Sequence, residues 1–270
     1  MGAGAGRAFL WAVVVVNALL GVALLVASLA QLAAPAADRS WTPTTAVLVA
    51  AVAVGWVLVG AVGFFRTYLH VPAATGRTVV VDTVDGERAL VLPWRTTFLR
   101  LPAWTAAFAA AVAVVGAVLL LAEGNPGWWI LALVAVPVVL FLPDRLLQLA
   151  RPCRLTLSPR GIGVVGADGD AWLDWDDVQG IAVERHNQWD VIRVVGRDRA
   201  PSWRWTRRRR VLHAAVPRGP WVDVPGPALD VEPSRLVDAI AHYTRHPSAR
   251  GELATDTGRH RVVGTGATVL

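Results

Sequence analysis

The densest group of residues that could carry chemistry lies between residues 161 and 177. Gly161-Ile-Gly-Val-Val-Gly166 matches the letters of the G-x-G-x-x-G dinucleotide fingerprint. In that fingerprint the third glycine opens a helix whose N-terminus holds the pyrophosphate. Here the next residues, Ala167-Asp-Gly-Asp170, are typical of a turn into another strand. We therefore interpret the glycines as turn residues and predict no bound cofactor.

Aspartates in the same stretch raise the question of a cation site. Their spacing lacks the Asp-x-Asp-x-Asp-Gly order and the distal Glu of a calcium loop. Alternation with Trp172, Leu173 and Trp175 favours a solvated strand face instead. The sequence predicts no metal site at these aspartates, which are Asp168, Asp170, Asp174, Asp176 and Asp177.

The histidines and serines follow no catalytic pattern. His186, His213, His242 and His246 have neither HExxH nor zinc-finger spacing, and no serine lies in a G-x-S-x-G elbow. The long apolar runs hold no charged residue or histidine in their interiors, which argues against a proton- or ion-coupled transporter. We predict no catalytic residue and expect a non-enzymatic protein.

An arginine run beside two indoles is the one unusual surface feature. Each basic residue near an anionic membrane contributes about 1 kcal/mol, and tryptophan settles at the interface. Nucleic acid is the competing partner, but the apolar runs of the chain favour lipid. A solvated loop whose arginines pair with the aspartates is the other interpretation. The candidate lipid-binding residues are Trp203, Arg204, Trp205, Arg207, Arg208, Arg209 and Arg210.

Four apolar stretches must anchor these residues, and we predict that each crosses a membrane. The chain of 270 residues is 54% hydrophobic and 17% charged, with a mean hydropathy of +0.47, which is too apolar for a single soluble domain. The uncharged run from Ala103 to Leu121 nearly matches a hydrocarbon core about 30 Å thick. The membrane domain covers residues 1–149, with spans at about 8–34, 44–65, 101–122 and 128–147.

Two of these spans raise questions of their own. The fourth contains Pro137 and must continue through Asp144 and Arg145 at headgroup level. The first is followed by Ala34-Pro35-Ala36, which resembles a signal-peptide cleavage site. Its apolar stretch is longer than the usual signal core of about 7–15 residues, so a span is favoured and cleavage stays open as the alternative.

The basic residues predict the orientation in the membrane. All 26 are arginine, a bias that suggests a high-GC bacterial genome. Arginines are frequent between residues 66 and 100 and after the fourth span, whereas the other two connections hold only Arg39. By the positive-inside rule we predict a plasma-membrane protein with cytoplasmic termini, a cytoplasmic 66–100 loop and a cytoplasmic C-terminal region. The single Cys153 excludes an intramolecular disulfide.

The cytoplasmic segments read as β structure followed by one helix. Asp85-Gly86 between two β-prone runs predicts a hairpin over residues 78–92, which we expect to dock onto the C-terminal region because an isolated hairpin is marginal in water. Residues 150–230 predict short strands, two of them within 203–216 and 221–224. A helix should begin at Pro233 and end before Pro247, and residues 248–270 should form a disordered tail.

This order of strands followed by one helix resembles that of a known protein family. Three stretches carry it, namely Leu155-Thr-Leu-Ser-Pro-Arg-Gly-Ile162, Leu173-Asp-Trp-Asp-Asp-Val178 and Ala241-His-Tyr-Thr-Arg-His-Pro-Ser-Ala-Arg-Gly-Glu-Leu253. They resemble the bacterial pleckstrin-homology-like (PH-like) membrane proteins common in actinobacteria, related to the domain of the mycobacterial low-molecular-weight antigen type. The resemblance implies a PH-like β-barrel or sandwich with a C-terminal helix over residues 150–247. It transfers no site residues, because no catalytic signature belongs to that family.

Together these observations predict an α+β membrane protein that acts as a binding or scaffolding module. Its cytoplasmic domain is expected to contact anionic lipid headgroups or a protein partner. The alternative is an accessory or regulatory subunit of a membrane transport system.

Overall fold

The chain folds into two units that are discontinuous in sequence. The computed structural model describes residues 3–70, 72–166, 169–186, 189–207 and 219–264. One unit combines residues up to 71 with residues 99–149, and the other combines residues 72–98 with residues 150–270. The first unit holds most of the four long helices, and the second holds two antiparallel sheets, so the protein is α+β.

Four long apolar helices make up most of the first unit. Thr42 begins the second of them, because its hydroxyl accepts a hydrogen bond from the Thr45 amide at 3.1 Å and Pro43 suits the first helical position. Beyond Gly55 this helix continues with π-helical geometry to Leu69. The helices are α1 (Ala3–Ala33), α2 (Pro43–Gly55), α3 (Thr96–Ala122) and α4 (Trp128–Leu149).

Three of these helices are long and apolar enough to cross a membrane. They cover Ala8–Ala33, Pro43–Gly63 and Ala103–Ala122, close to the first three predicted spans. The apolar part of α4 is shorter, Trp128–Pro143. The structure is therefore consistent with membrane association, and the three helices that could span a membrane lie at positions that the sequence predicts.

Small residues allow the helices of this unit to approach one another. A Cβ added at Gly116 of α3 would lie 2.7 Å from Leu131 Cδ1 of α4, and Gly55 of α2 lies directly against Phe108 of α3. Side chains at these glycines would force the helices apart, which is why small residues occur at close helix contacts.

Nine strands within the described residues form the two sheets of the second unit. The larger sheet has the order β1-β2-β3-β4-β5-β8 and the smaller one the order β6-β7-β9, with every neighbouring pair antiparallel. The strands are β1 (Val80–Val84), β2 (Glu87–Pro93), β3 (Arg154–Leu157), β4 (Gly161–Val165), β5 (Gly169–Asp174), β6 (Val178–His186), β7 (Trp189–Gly196), β8 (Arg204–Arg207) and β9 (Trp221–Pro225).

The hairpin predicted over residues 78–92 is confirmed as β1 and β2. Asp85 and Gly86 form its turn with φ of 52° and 83°, the left-handed conformation that the Asp-Gly pair suits. The second strand of the hairpin pairs with β3, placing Leu90 opposite Leu157 and Leu92 opposite Leu155. The expected docking of the hairpin is thus confirmed, and its partner is the first strand after α4.

The core lies between the sheets and under helix α5 (Pro233–Arg245). Strands β4 and β5 contact β9, while Leu236, Ile240 and Tyr243 form the buried stripe of α5. Trp175 is buried between them, and its indole Nε1 donates to the Ser158 carbonyl at 2.7 Å. The helix therefore begins at the predicted proline and packs an apolar face against the core.

The prediction of a disordered tail is wrong for residues 248–264. A 3₁₀ helix, Pro247–Ala254, is followed by helix α6, Asp256–Val263. Leu253 and Val262 are fully buried in the core. Two isolated apolar residues create no periodic signal, so only their packing against the sheet unit could reveal this structure. Residues 265–270 lie outside the described residues.

Candidate functional site

The predicted lipid-binding residues begin at an edge strand of the larger sheet. Strand β8 pairs with β5, so that Arg204 lies opposite Trp172 and Trp205 opposite Ala171. Trp203 and Trp205 are partly buried and pack against the core, whereas Arg204 is exposed. The two indoles hold the edge strand on the sheet, and Arg204 faces solvent.

The rest of the arginine run is only partly described. Arg207 belongs to β8, and its backbone lies opposite Gly169. Arg208, Arg209 and Arg210 lie outside the described residues. At the start of β8, the two indoles of the predicted site therefore pack against the core, and Arg204 is available to a ligand.

Two further arginines, which the sequence analysis did not single out, are exposed in the turn before β8. Arg197 and Arg199 flank Asp198, and Arg199 has φ of 57°. Asp177 holds this turn, because its carbonyl accepts from the Arg197 amide at 2.8 Å and its carboxylate accepts from the Ser202 amide at 3.0 Å. The Ser202 hydrogen bonds lower the pKa of Asp177. The only indication of these exposed arginines in the sequence is the run Arg197-Asp198-Arg199.

The glycines of the G-x-G-x-x-G match make room for a tryptophan. Gly161 and Gly163 lie within β4 and are not turn residues, which corrects the sequence interpretation. A Cβ at Gly163 would lie 2.6 Å from Trp172 Cε3, and one at Gly161 would lie 2.9 Å from Trp172 Cζ2. The indole thus lies along the strand and donates from Nε1 to the Asp174 carboxylate at 2.6 Å. Only Gly166 lies in a turn, where its amide bonds the Gly169 carbonyl.

Four of the five clustered aspartates contact arginine or serine. Asp170 accepts two hydrogen bonds from Arg151 at 2.6 and 2.8 Å, and Asp174 lies 3.9 Å from Arg160. Asp176 pairs with Arg250 at 2.7 Å, and Asp177 bonds Ser202. Asp168 lies outside the described residues. Among the described residues these carboxylates serve the packing of the sheet unit and its C-terminal segment.

A cleft of about 450 Å³ lies beside α5 and α6. Its lining includes His242, whose ring stacks on His246 with 4.6 Å between ring centroids. Burial and the nearby Arg261 lower the pKa of His242. Arg235 pairs with Glu232 at 3.3 Å and Arg261 with Glu252 at 2.9 Å, so both guanidinium groups of the cleft have carboxylate partners. His213 lies outside the described residues.

Asp230 is a buried residue that the sequence analysis missed, and its carboxylate accepts five hydrogen bonds from described residues. It is 6% exposed and accepts hydrogen bonds from Thr75, Thr78 and Arg95. Burial acts to raise the pKa of Asp230, but these hydrogen bonds outweigh burial and lower it. The one signal in the sequence is an aspartate between two apolar residues, Leu229 and Val231.

No family model, curated protein or solved structure matches the chain.

Proposed function

We propose that the chain is a four-span plasma-membrane protein with a cytoplasmic, PH-like binding module. The fourth span is supported by the pairing of β2 with β3. Strand β2 precedes α3 and strand β3 follows α4, so both ends of the α3–α4 hairpin must lie on one side of a membrane. If α3 crosses, α4 must cross back.

Helix α4 has the length for this return. Its 22 residues extend about 33 Å at about 1.5 Å per residue. Asp144 and Arg145 are its only charged residues, and both are near its C-terminal end. The excess of arginine in the 66–100 loop and after α4 supports a cytoplasmic second unit.

The binding module is supported by the order of the second unit. Two antiparallel sheets are followed by the amphipathic helix α5, which is the order that the PH-like resemblance implies. Its clustered carboxylates bond arginine and serine side chains, and its glycine motif packs a tryptophan. These contacts favour a non-enzymatic binding module.

We propose that this module binds an anionic lipid surface through exposed arginines at and just before β8. Arg197, Arg199 and Arg204 are exposed there, and the sequence goes on to Arg207-Arg-Arg-Arg210, of which Arg208, Arg209 and Arg210 lie outside the described residues. Each such charge contributes about 1 kcal/mol near an anionic membrane. Because Trp203 and Trp205 pack against the core, we propose electrostatic contact with headgroups and no insertion of the indoles.

The test compares the full-length protein in nanodiscs of zwitterionic lipid with the same protein in nanodiscs containing anionic lipid. We expect backbone amides of residues 197–207 to exchange hydrogen more slowly in the anionic discs. High salt should remove the difference, because the screening length falls from about 8 Å at physiological ionic strength to about 3 Å at 1 M.

A charge-matched pair of variants separates this site from the general charge of the protein. Changing Arg207 to Arg210 to glutamine should abolish the lipid-dependent protection. The control removes four exposed arginines elsewhere and should keep it; these are Arg77, Arg88, Arg185 and Arg245. Equal exchange of the unaltered protein in both discs would contradict the lipid proposal. Recovery of one stoichiometric partner by crosslinking in membranes would then favour the accessory-subunit alternative.

A further inference from the structure

Within the second unit, residues 75–78 of the segment that follows α2 are bound mainly by Asp230. Asp230 Oδ1 accepts from the Thr75 amide at 2.9 Å, and Asp230 Oδ2 accepts from the Thr75 hydroxyl at 2.8 Å. The amide and hydroxyl of Thr78 also donate to Oδ2, both at 3.4 Å. The Asp230 carbonyl accepts from the Gly76 amide at 2.9 Å. Residues 75–78 are therefore bound mainly by a residue more than 150 positions later in the chain.

The residue before α3 reaches the same carboxylate. Arg95 Nη2 donates to Asp230 Oδ1 at 3.1 Å, and the two side chains are only 13% and 9% exposed. The Arg95 amide donates to the Ala228 carbonyl at 2.6 Å. Arg95 also binds the first segment directly, since Nη1 donates to the Pro72 carbonyl at 2.7 Å and Nη2 to the Ala73 carbonyl at 3.3 Å.

Helix α6 closes this arrangement from the other side. Gly76 has φ of 65°, and a Cβ there would overlap the side chain of Val263, so the segment passes directly beneath the end of α6. Only glycine adopts this backbone conformation readily while leaving that space free. Val79, the residue directly before β1, is only 1% exposed.

We propose that Asp230 and Arg95 form a latch, a conformational device that holds the segment leaving α2 and the segment entering α3 at one point and releases both together. A buried carboxylate that loses one donor is left with an unsatisfied lone pair, which raises the cost of keeping it buried, so the loss of either segment weakens the hold on the other. All four residues of the latch, Thr75, Thr78, Arg95 and Asp230, belong to the second unit. It is independent of the proposed lipid surface, which lies on β8.

If the latch exists, weakening the bonds of either segment, residues 75–78 or the segment at Arg95, must loosen the other. Hydrogen exchange is measured on the full-length protein in nanodiscs of zwitterionic lipid, which removes the anionic surface from the experiment. Arg95→Gln should speed the exchange of the Thr75, Gly76 and Thr78 amides by about tenfold, although none of them belongs to its own segment. Thr75→Val should in turn speed the exchange of the Arg95 amide. Asp230→Asn should release both segments.

Matched controls distinguish a latch from general loss of stability. Asp170→Asn changes another arginine-bound carboxylate of the same unit and should leave both segments unchanged. Amides of β3 and β4 should keep their exchange rates in all latch variants. The latch is refuted if Arg95→Gln leaves residues 75–78 unchanged, or if exchange rises uniformly across the sheet. The two single-donor variants carry the test even if Asp230→Asn does not fold.

Discussion

At the scale of single residues, Trp172 shows how side-chain size rather than motif chemistry explains a glycine pattern. Its indole occupies the space that Gly161 and Gly163 leave above β4, and Asp174 accepts its Nε1 hydrogen. Residues with a Cβ at these positions would displace the ring from the sheet. Two glycines of the G-x-G-x-x-G match, Gly161 and Gly163, are therefore explained by the packing of Trp172 and not by cofactor binding.

This packing predicts the cost of adding one methyl group. Gly163→Ala should destabilise the protein by about 1–3 kcal/mol, because an added atom in a filled space forces its neighbours to move. Gly180→Ala is the control, since a Cβ there meets no atom within 4 Å and the backbone lies in another strand. The measurement is the thermal midpoint of the full-length protein in detergent, followed by near-UV circular dichroism. Equal midpoints for the two variants would contradict the packing role.

At the scale of elements, α6 completes a core that the strands and α5 leave open. Val262 is fully buried, and Val263 lies over the segment at Gly76. Arg261 pairs with Glu252 at 2.9 Å and thereby joins the helix to the preceding 3₁₀ turn. The helix is short, so its stability comes from these tertiary contacts rather than from its own hydrogen bonds.

Removal of α6 should therefore destabilise the second unit. A chain ended after Thr255 loses the buried Val262, and burial of a valine side chain contributes about 1.5–3 kcal/mol. The thermal midpoint should fall, and limited proteolysis should cut near residues 72–79. A chain ended after Gly264 keeps the helix and serves as the control. If both truncated chains melt together with the complete chain, α6 has no part in the core.

At the scale of the whole molecule, one sheet is assembled from segments on both sides of a helical hairpin. The chain leaves the second unit after Phe98 and re-enters it at Ala150, and β2 and β3 lie at these junctions. Antiparallel pairing of those strands restricts how often α3 and α4 together can cross a membrane. The proposed four-span topology meets this restriction, because in it α3 crosses and α4 returns.

Cysteine labelling in intact cells tests this topology. On a Cys153→Ser background, Ser40→Cys and Pro126→Cys should react with an impermeant reagent from outside. Asp85→Cys and Gly251→Cys should react only after permeabilisation; Asp85 and Gly251 are exposed, and a Cβ at Gly251 meets no atom within 4 Å. Labelling of positions 126 and 251 from the same side would contradict the fourth span. Labelling of both positions 85 and 251 from outside, with positions 40 and 126 protected, would reverse the proposed orientation.

The sequence by itself determined the features that depend on short stretches of chain. Uncharged apolar runs predicted three helices that match spans, Asp85-Gly86 predicted the hairpin turn, and Pro233 predicted the start of α5. Each signal is local, because periodicity, turn conformation and helix starts are properties of neighbouring residues. The exposed Arg204 of the candidate site was likewise recognised from the composition of its own segment.

Only the tertiary structure decided which distant residues meet. It selected β3 as the partner of the hairpin, buried Leu253 and Val262 of the supposed tail, and placed Trp172 over Gly163. It also joined Asp230 to Thr75 across most of the chain. None of these contacts has a local signature, because burial of an isolated apolar side chain or carboxylate depends on the partners that folding brings to it.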